Sequence, residues 1–150
     1  MSNAASLVDQ AKEWAGHYGS FANGTEGAVL SVPLRFRGCW ERGDADDLAG
    51  IFTENGSLLL GDEQLKGREE IRTYLTDQFA GPYRGTSVVD EPASVRFIAE
   101  GVAVAITRGG FTQPGETIPA PEREVRTTWV IVQRDGEWQL LAYQSSPITG

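Results

Sequence analysis

Apolar residues recur at helical spacing along the first half of the chain and at every second position along much of the rest. From Glu26 to Arg42, the residues Val29, Val32, Phe36, Cys39 and Trp40 share one helical face. Thr25 is placed to cap this helix and Gly43 to end it. Pro33 lies inside it. Proline removes a backbone donor and crowds the carbonyl four residues back, so a kink near Val29 is expected. Asp44 then caps a short helix over Ala45–Phe52, with Leu48, Ile51 and Phe52 inward. Ahead of both, Ser6–Gly19 carries Leu7, Ala11, Trp14, Ala15 and Tyr18 as an apolar stripe. This predicts a further helix in an N-terminal extension over residues 1–24, with the body of the chain in residues 25–150.

The spacing changes at Asn55-Gly56, which reads as a turn. Ser57–Leu60 predicts a short strand, and Gln64–Lys66 is placed to pair back on it. Arg68–Phe79 predicts a helix with Ile71, Tyr74, Leu75 and Phe79 inward, closed by Gly81–Gly85. Alternation then predicts strands over Thr86–Val89, Ala93–Ala99, Val102–Phe111, Glu122–Gln133 and Glu137–Ser146. Arg134-Asp135-Gly136 is a hairpin turn, and Gln113–Pro121 a long loop. Helices followed by an antiparallel meander define the α+β class. A strongly curved sheet wrapped around helices would enclose a hollow.

Composition narrows the partners. The 150 residues fit one domain, and 40% hydrophobic content supports a sizeable core. The net charge is −8 and the Lys and Arg residues are scattered, so neither nucleic acid nor an anionic membrane is an expected partner. One cysteine, Cys39, builds no disulfide framework and reads as a small buried hydrophobe. One histidine, His17, leaves no multi-histidine metal site and no serine or cysteine triad. No metal and no cofactor is expected, since a glycine-rich dinucleotide fingerprint is also lacking. No apolar run is long enough to span a bilayer and no signal-like start is seen, so a cytoplasmic location is expected.

Five motifs carry a resemblance. They are CWERGDADDLAGIFTENGSL (Cys39–Leu58), LKGREEIRTYL (Leu65–Leu75), GPYRG (Gly81–Gly85), SVRFIAEGVAVA (Ser94–Ala105) and VIVQRDGEWQLLAYQ (Val130–Gln144). In this order they resemble the SnoaL-like, or nuclear-transport-factor-two-like, superfamily over Thr25–Pro147. GPYRG ahead of the strands looks most like the SgcJ/EcaC branch. The resemblance implies a cone-shaped antiparallel sheet around the N-terminal helices (a cystatin-like roll) with a ligand pocket at its open end. It also implies a homodimer packed through the outer sheet face. A role in polyketide- or enediyne-type secondary metabolism follows, binding a hydrophobic intermediate for isomerisation, cyclisation or dehydration without a cofactor. The alternative is a non-catalytic carrier or accessory protein, or a dimerisation module, because this fold fixes no reaction. Branch members are often called oxidoreductases, but nothing in these residues supports redox chemistry.

In isomerase and cyclase relatives an acid projects from the first strand. The resemblance puts that place at Leu59 or Leu60, so the strand reads as wall. Glu54, Asp62 and Glu63 fall in turns, where carboxylates are usually solvated. Alternation groups Arg126, Thr128, Val130 and Val132 on one face, and Thr127, Trp129, Ile131 and Gln133 on the other. The Val130–Val132 and Leu140–Ala142 faces are expected inward. This points Arg126, Thr128 and Gln144 toward the pocket mouth and leaves Trp129 outside for dimer packing. Arg126, Tyr83 and Gln144 are then the candidates for polarising a substrate carbonyl. Thr128, Trp40, Phe36, Leu60 and Phe97 are candidates to line the ligand, joined by His17 if its helix caps the pocket. Each has a structural reading beside the functional one: an ion pair with Glu122 or Glu124 for Arg126, a plug for Tyr83, core packing for the aromatics, a surface position for His17.

Overall fold

The structure is a computed structural model, and it describes residues 24–60 and 62–148. The Ser6–Gly19 segment, with Trp14, His17 and Tyr18, lies outside the described residues.

Helix α1 (Gly24–Arg42) buries Val29, Val32, Phe36 and Trp40 along one face. It runs through Pro33, which is itself buried, and it takes in Thr25 rather than being capped by it. Gly43 takes a left-handed φ of 64°, the turn that glycine adopts without strain. Asp44 then accepts a 2.9 Å hydrogen bond from the Asp47 amide and so caps α2 (Ala45–Ile51). Phe52 leaves the helix and opens β1 (Phe52–Leu60). Asn55-Gly56 is therefore part of a strand and not a turn, and the pairing of β1 with the last strand slips between Phe52 and Ser57. β2 (Glu63–Lys66) folds back on β1, and α3 (Arg68–Ala80) follows.

The remaining strands are β3 (Ser87–Ala99), β4 (Val102–Thr112), β5 (Glu124–Arg134) and β6 (Glu137–Pro147). A single 3-10 turn, Pro121–Arg123, leads into β5. All six strands form one curved sheet in the order β2-β1-β6-β5-β4-β3, antiparallel except for the parallel β1–β6 pair. The fold is α+β, with the helices laid against the inner face of the sheet.

Two sequence expectations are corrected here. The stretch Asp90-Glu91-Pro92 does not separate two strands, because β3 runs through it. β3 is an edge strand, where a missing proline N–H breaks little of the ladder, and a bulge between Pro92 and Ser94 absorbs the misfit. The inner face of β5 is also the opposite of the expected one. Thr127, Trp129 and Ile131 are buried, while Arg126 is exposed and Thr128 and Val130 are half-buried. Both faces of β5 carry apolar residues, and the core takes the bulkier pair, Trp129 and Ile131. Val132, on the same face as Val130, is buried as well, so its apolar character does not mark the inward side. The bulge in this pairing lies on β6, where Leu141 is left unpaired between Leu140 and Ala142 and shifts which residues of that strand point in. On β6, Leu140 and Tyr143 point in and Gln144 points out.

The β3–β4 pairing is unusually close at one point. Gly109 lies opposite Asp90, and a Cβ on Gly109 would stand 1.7 Å from the Val89 carbonyl oxygen. Gly109→Ala is expected to cost about 3 kcal/mol or more, at the upper end of overpacking penalties. Gly50, in α2 with open space around it, is expected to gain about 0.5–1 kcal/mol on change to Ala. Urea unfolding midpoints of the two variants check both signs.

Candidate acid–base site

The buried inner face carries a short polar chain. The Trp129 indole N–H donates to Thr107 Oγ1 at 2.9 Å, and the Thr107 hydroxyl donates to Asp90 Oδ1 at 3.2 Å. The three residues come from β5, β4 and β3, so the chain crosses three adjacent strands. Asp90 is 6% exposed. Its second oxygen, Oδ2, has no hydrogen-bond partner among the described residues, and neither has the buried Nε of Arg37 on α1.

Burial is the main influence on this carboxyl. It pushes the Asp90 pKa up to about 6, against the smaller lowering effects of the Thr107 hydrogen bond and the Arg37 charge. Tyr143 on β6 is held well above the ordinary phenol range, first by burial and then by the negative charge of Asp90, with Thr127 and Ser145 partly offsetting both. Tyr83 is half-buried, and burial followed by the neighbouring Tyr74 hydroxyl pushes it up to about 12. Both phenols therefore stay protonated at neutral pH and serve as donors. Around them the interior is aromatic. Phe36 stacks on Tyr143 at 4.8 Å and meets Trp129 edge-on at 5.1 Å, while Trp40 packs on Tyr83 at 5.2 Å and on Phe111 at 4.8 Å. The Trp40 indole is satisfied by Thr86 Oγ1 at 3.0 Å.

A carboxyl with a pKa near 6, one oxygen fixed and the other free, can take or give a proton close to neutral pH. Among the described residues no three His, Cys, Asp or Glu side chains gather as metal ligands. Cys39 is free and buried, and burial pushes its thiol up, so it is no ready nucleophile.

The residues proposed from the sequence separate into three groups. Tyr83, Trp40, Phe36 and Leu60 face the interior, the last three as buried core. Leu58 and Leu60 are both buried, so β1 is wall, as its leucines predicted. Arg126, Thr128 and Gln144 lie on the outer sheet face, where Thr128 pairs directly with Gln144 across β5 and β6. They do not meet Tyr83 and cannot act on anything inside the cone. Phe97 is 43% exposed near the β3–β4 turn, and His17 is outside the described residues. Sequence reading missed Asp90, Thr107 and Tyr143. Asp90 does follow Val88 at strand spacing, which was the available signal, but Glu91-Pro92 behind it masked the strand.

The profile of the SnoaL-like domain matches residues 29–150, and the chain belongs to that family. No protein of curated function matches it. Solved structures share its fold. A cystatin-like domain of unknown function from Nostoc punctiforme PCC 73102 superposes with a TM-score of 0.76 at 24% identity, over 85% of this chain and 81% of that one. A protein from Xanthomonas campestris, described as a putative calcium/calmodulin-dependent protein kinase II association domain, gives 0.67 at 22% identity, over 85% and 91%. A ketosteroid isomerase-like protein from Erwinia carotovora atroseptica SCRI1043 gives 0.64 at 18% identity, over 83% and 96%. At these identities the likeness is one of fold.

Asp90 should leave its mark on stability. A carboxyl whose pKa rises on folding holds more protons folded than unfolded. Its burial therefore weakens the fold as pH climbs through about 6 and costs little below its ordinary 3.8. Asp90→Asn is expected to stabilise the protein at pH 8 by up to roughly 3 kcal/mol and to change little at pH 4. Urea melts at the two pH values test this, and an equal effect at both would contradict it.

Proposed function

We propose that this chain binds a hydrophobic carbonyl compound of polyketide- or enediyne-type secondary metabolism within its cone and moves a proton on it through Asp90. The observation that carries this reading is the free, buried Oδ2 of Asp90. A core built only for stability gains nothing from a half-satisfied carboxyl. In the proposed step, ionised Asp90 removes a proton from the carbon beside the carbonyl, leaving an enolate. Protonated Asp90, exchanging with water while the enolate lasts, then delivers a proton at the conjugated position, so a double bond shifts and no cofactor is consumed. Tyr143 or Tyr83 donates a hydrogen bond to the carbonyl oxygen as charge develops there. Since Asp90 is 6% exposed, a substrate reaches it only after a neighbouring side chain moves.

A second reading has its own support. Phe36, Trp40 and Trp129 are almost wholly buried and fill space that an open pocket would leave free, which favours a non-catalytic carrier or dimerisation module. A homodimer through the outer sheet face fits either reading. Val104, Ile106, Val130 and Ala142 are half-buried there, with Val104 opposite Val130 and Val130 opposite Ala142. Arg126 and Gln144 would then belong to the rim of that interface.

The test uses the full chain with a polycyclic β,γ-unsaturated ketone in deuterated buffer, followed by NMR. Enzyme activity predicts deuterium uptake and a shifted double bond, faster as pH rises through about 6 and slowed about 100-fold or more in Asp90→Asn. Binding without exchange supports the carrier reading, and a dimer that binds no ketone supports the module.

A further inference from the structure

At the end of the cone far from Tyr83, the surface is apolar where it meets water. Phe97 is 43% exposed and Ile98 59%, and Phe97 meets Trp138 edge-on at 6.3 Å. With Thr25, Glu100 and Gln133 they line a cleft of about 410 Å³. Two large aliphatic and aromatic side chains left uncovered beside a third mark a docking surface.

We infer that this cleft receives the chain's own N-terminal segment, residues 6–19. Three observations choose this occupant. Thr25 is itself part of the cleft wall, so the chain enters the body at that spot. Only residues 20–24 separate the segment from it, a link that reaches at most about 18 Å. Such a tether gives the segment a high effective concentration at the cleft. The segment also has something to bury, because Leu7, Ala11, Trp14, Ala15 and Tyr18 recur at helical spacing. A second copy of the chain has a better-matched place in the broad outer face of β4, β5 and β6, away from these turns. Docked there, the apolar stripe of the segment covers Ile98 and Phe97.

The experiment places the photo-crosslinker p-benzoylphenylalanine at position 98 of the full-length protein, a site exposed enough to accept it. After irradiation, the expected product migrates as a single chain. Digestion and mass spectrometry are expected to join position 98 to residues 7–18. A two-chain product overturns the inference in favour of a second copy. A crosslink confined to the body, or none, overturns it outright. Leu7→Ser with Trp14→Ser in the same protein should abolish the crosslink while unfolding stays cooperative. Persistence of the crosslink in that variant would show that the stripe does not make the contact.

Discussion

Thr107 sits between two buried polar groups and serves both, accepting from the Trp129 indole and donating to Asp90. Inside an apolar wall, either group left unpaired costs about 1–3 kcal/mol. One hydroxyl thus fixes the relative positions of β3, β4 and β5 from within. Phe36 extends the arrangement to α1 and β6 by packing edge-on against Trp129 and flat against Tyr143. Gly109 makes it possible, because only a residue without a Cβ lets β4 lie so close to the backbone of Val89 and Asp90. The closeness of the strands and the polarity of the core are two sides of one arrangement.

That arrangement leaves one atom unsatisfied. Thr107 holds Oδ1 of Asp90, while Oδ2 faces the interior with no partner among the described residues. Arg37 is near enough to temper the charge, yet burial still dominates. A fold optimised for stability alone would place an apolar residue here, and departures of this kind tend to mark function. Asp90 therefore carries the chemical reading.

Much of the architecture was legible beforehand. Helical spacing located α1, α2 and α3, Asp44 announced its cap, and the alternating second half announced an antiparallel sheet. The family followed from motifs spread over the same elements. The candidate site was much less legible, for identifiable reasons. Val130 and Val132 look like a core face, but Trp129 and Ile131 are the bulkier pair, and a bulge at Leu141 breaks the alternation by which β6 was read. Arg126, Thr128 and Gln144 went to the wrong side with them. Asp90 was hidden because Asp-Glu-Pro is a common turn sequence, and only the edge position of β3 lets a strand pass through it. Edge position and bulges are properties of pairing, which a single sequence does not display. Tyr83, a candidate donor or plug by sequence, is half-buried against the core, its place set by its own GPYRG turn.

The most direct measurement is the titration of the Asp90 carboxyl itself, followed by carbon-13 NMR in the full-length protein and assigned with Asp90→Asn. The account predicts a midpoint near 6, moving higher in Thr107→Val as the charged form loses its hydrogen bond. A midpoint at or below the ordinary aspartate value of 3.8 would mean that the carboxyl is solvated or fully paired. The buried acid on which this reading rests would then not exist.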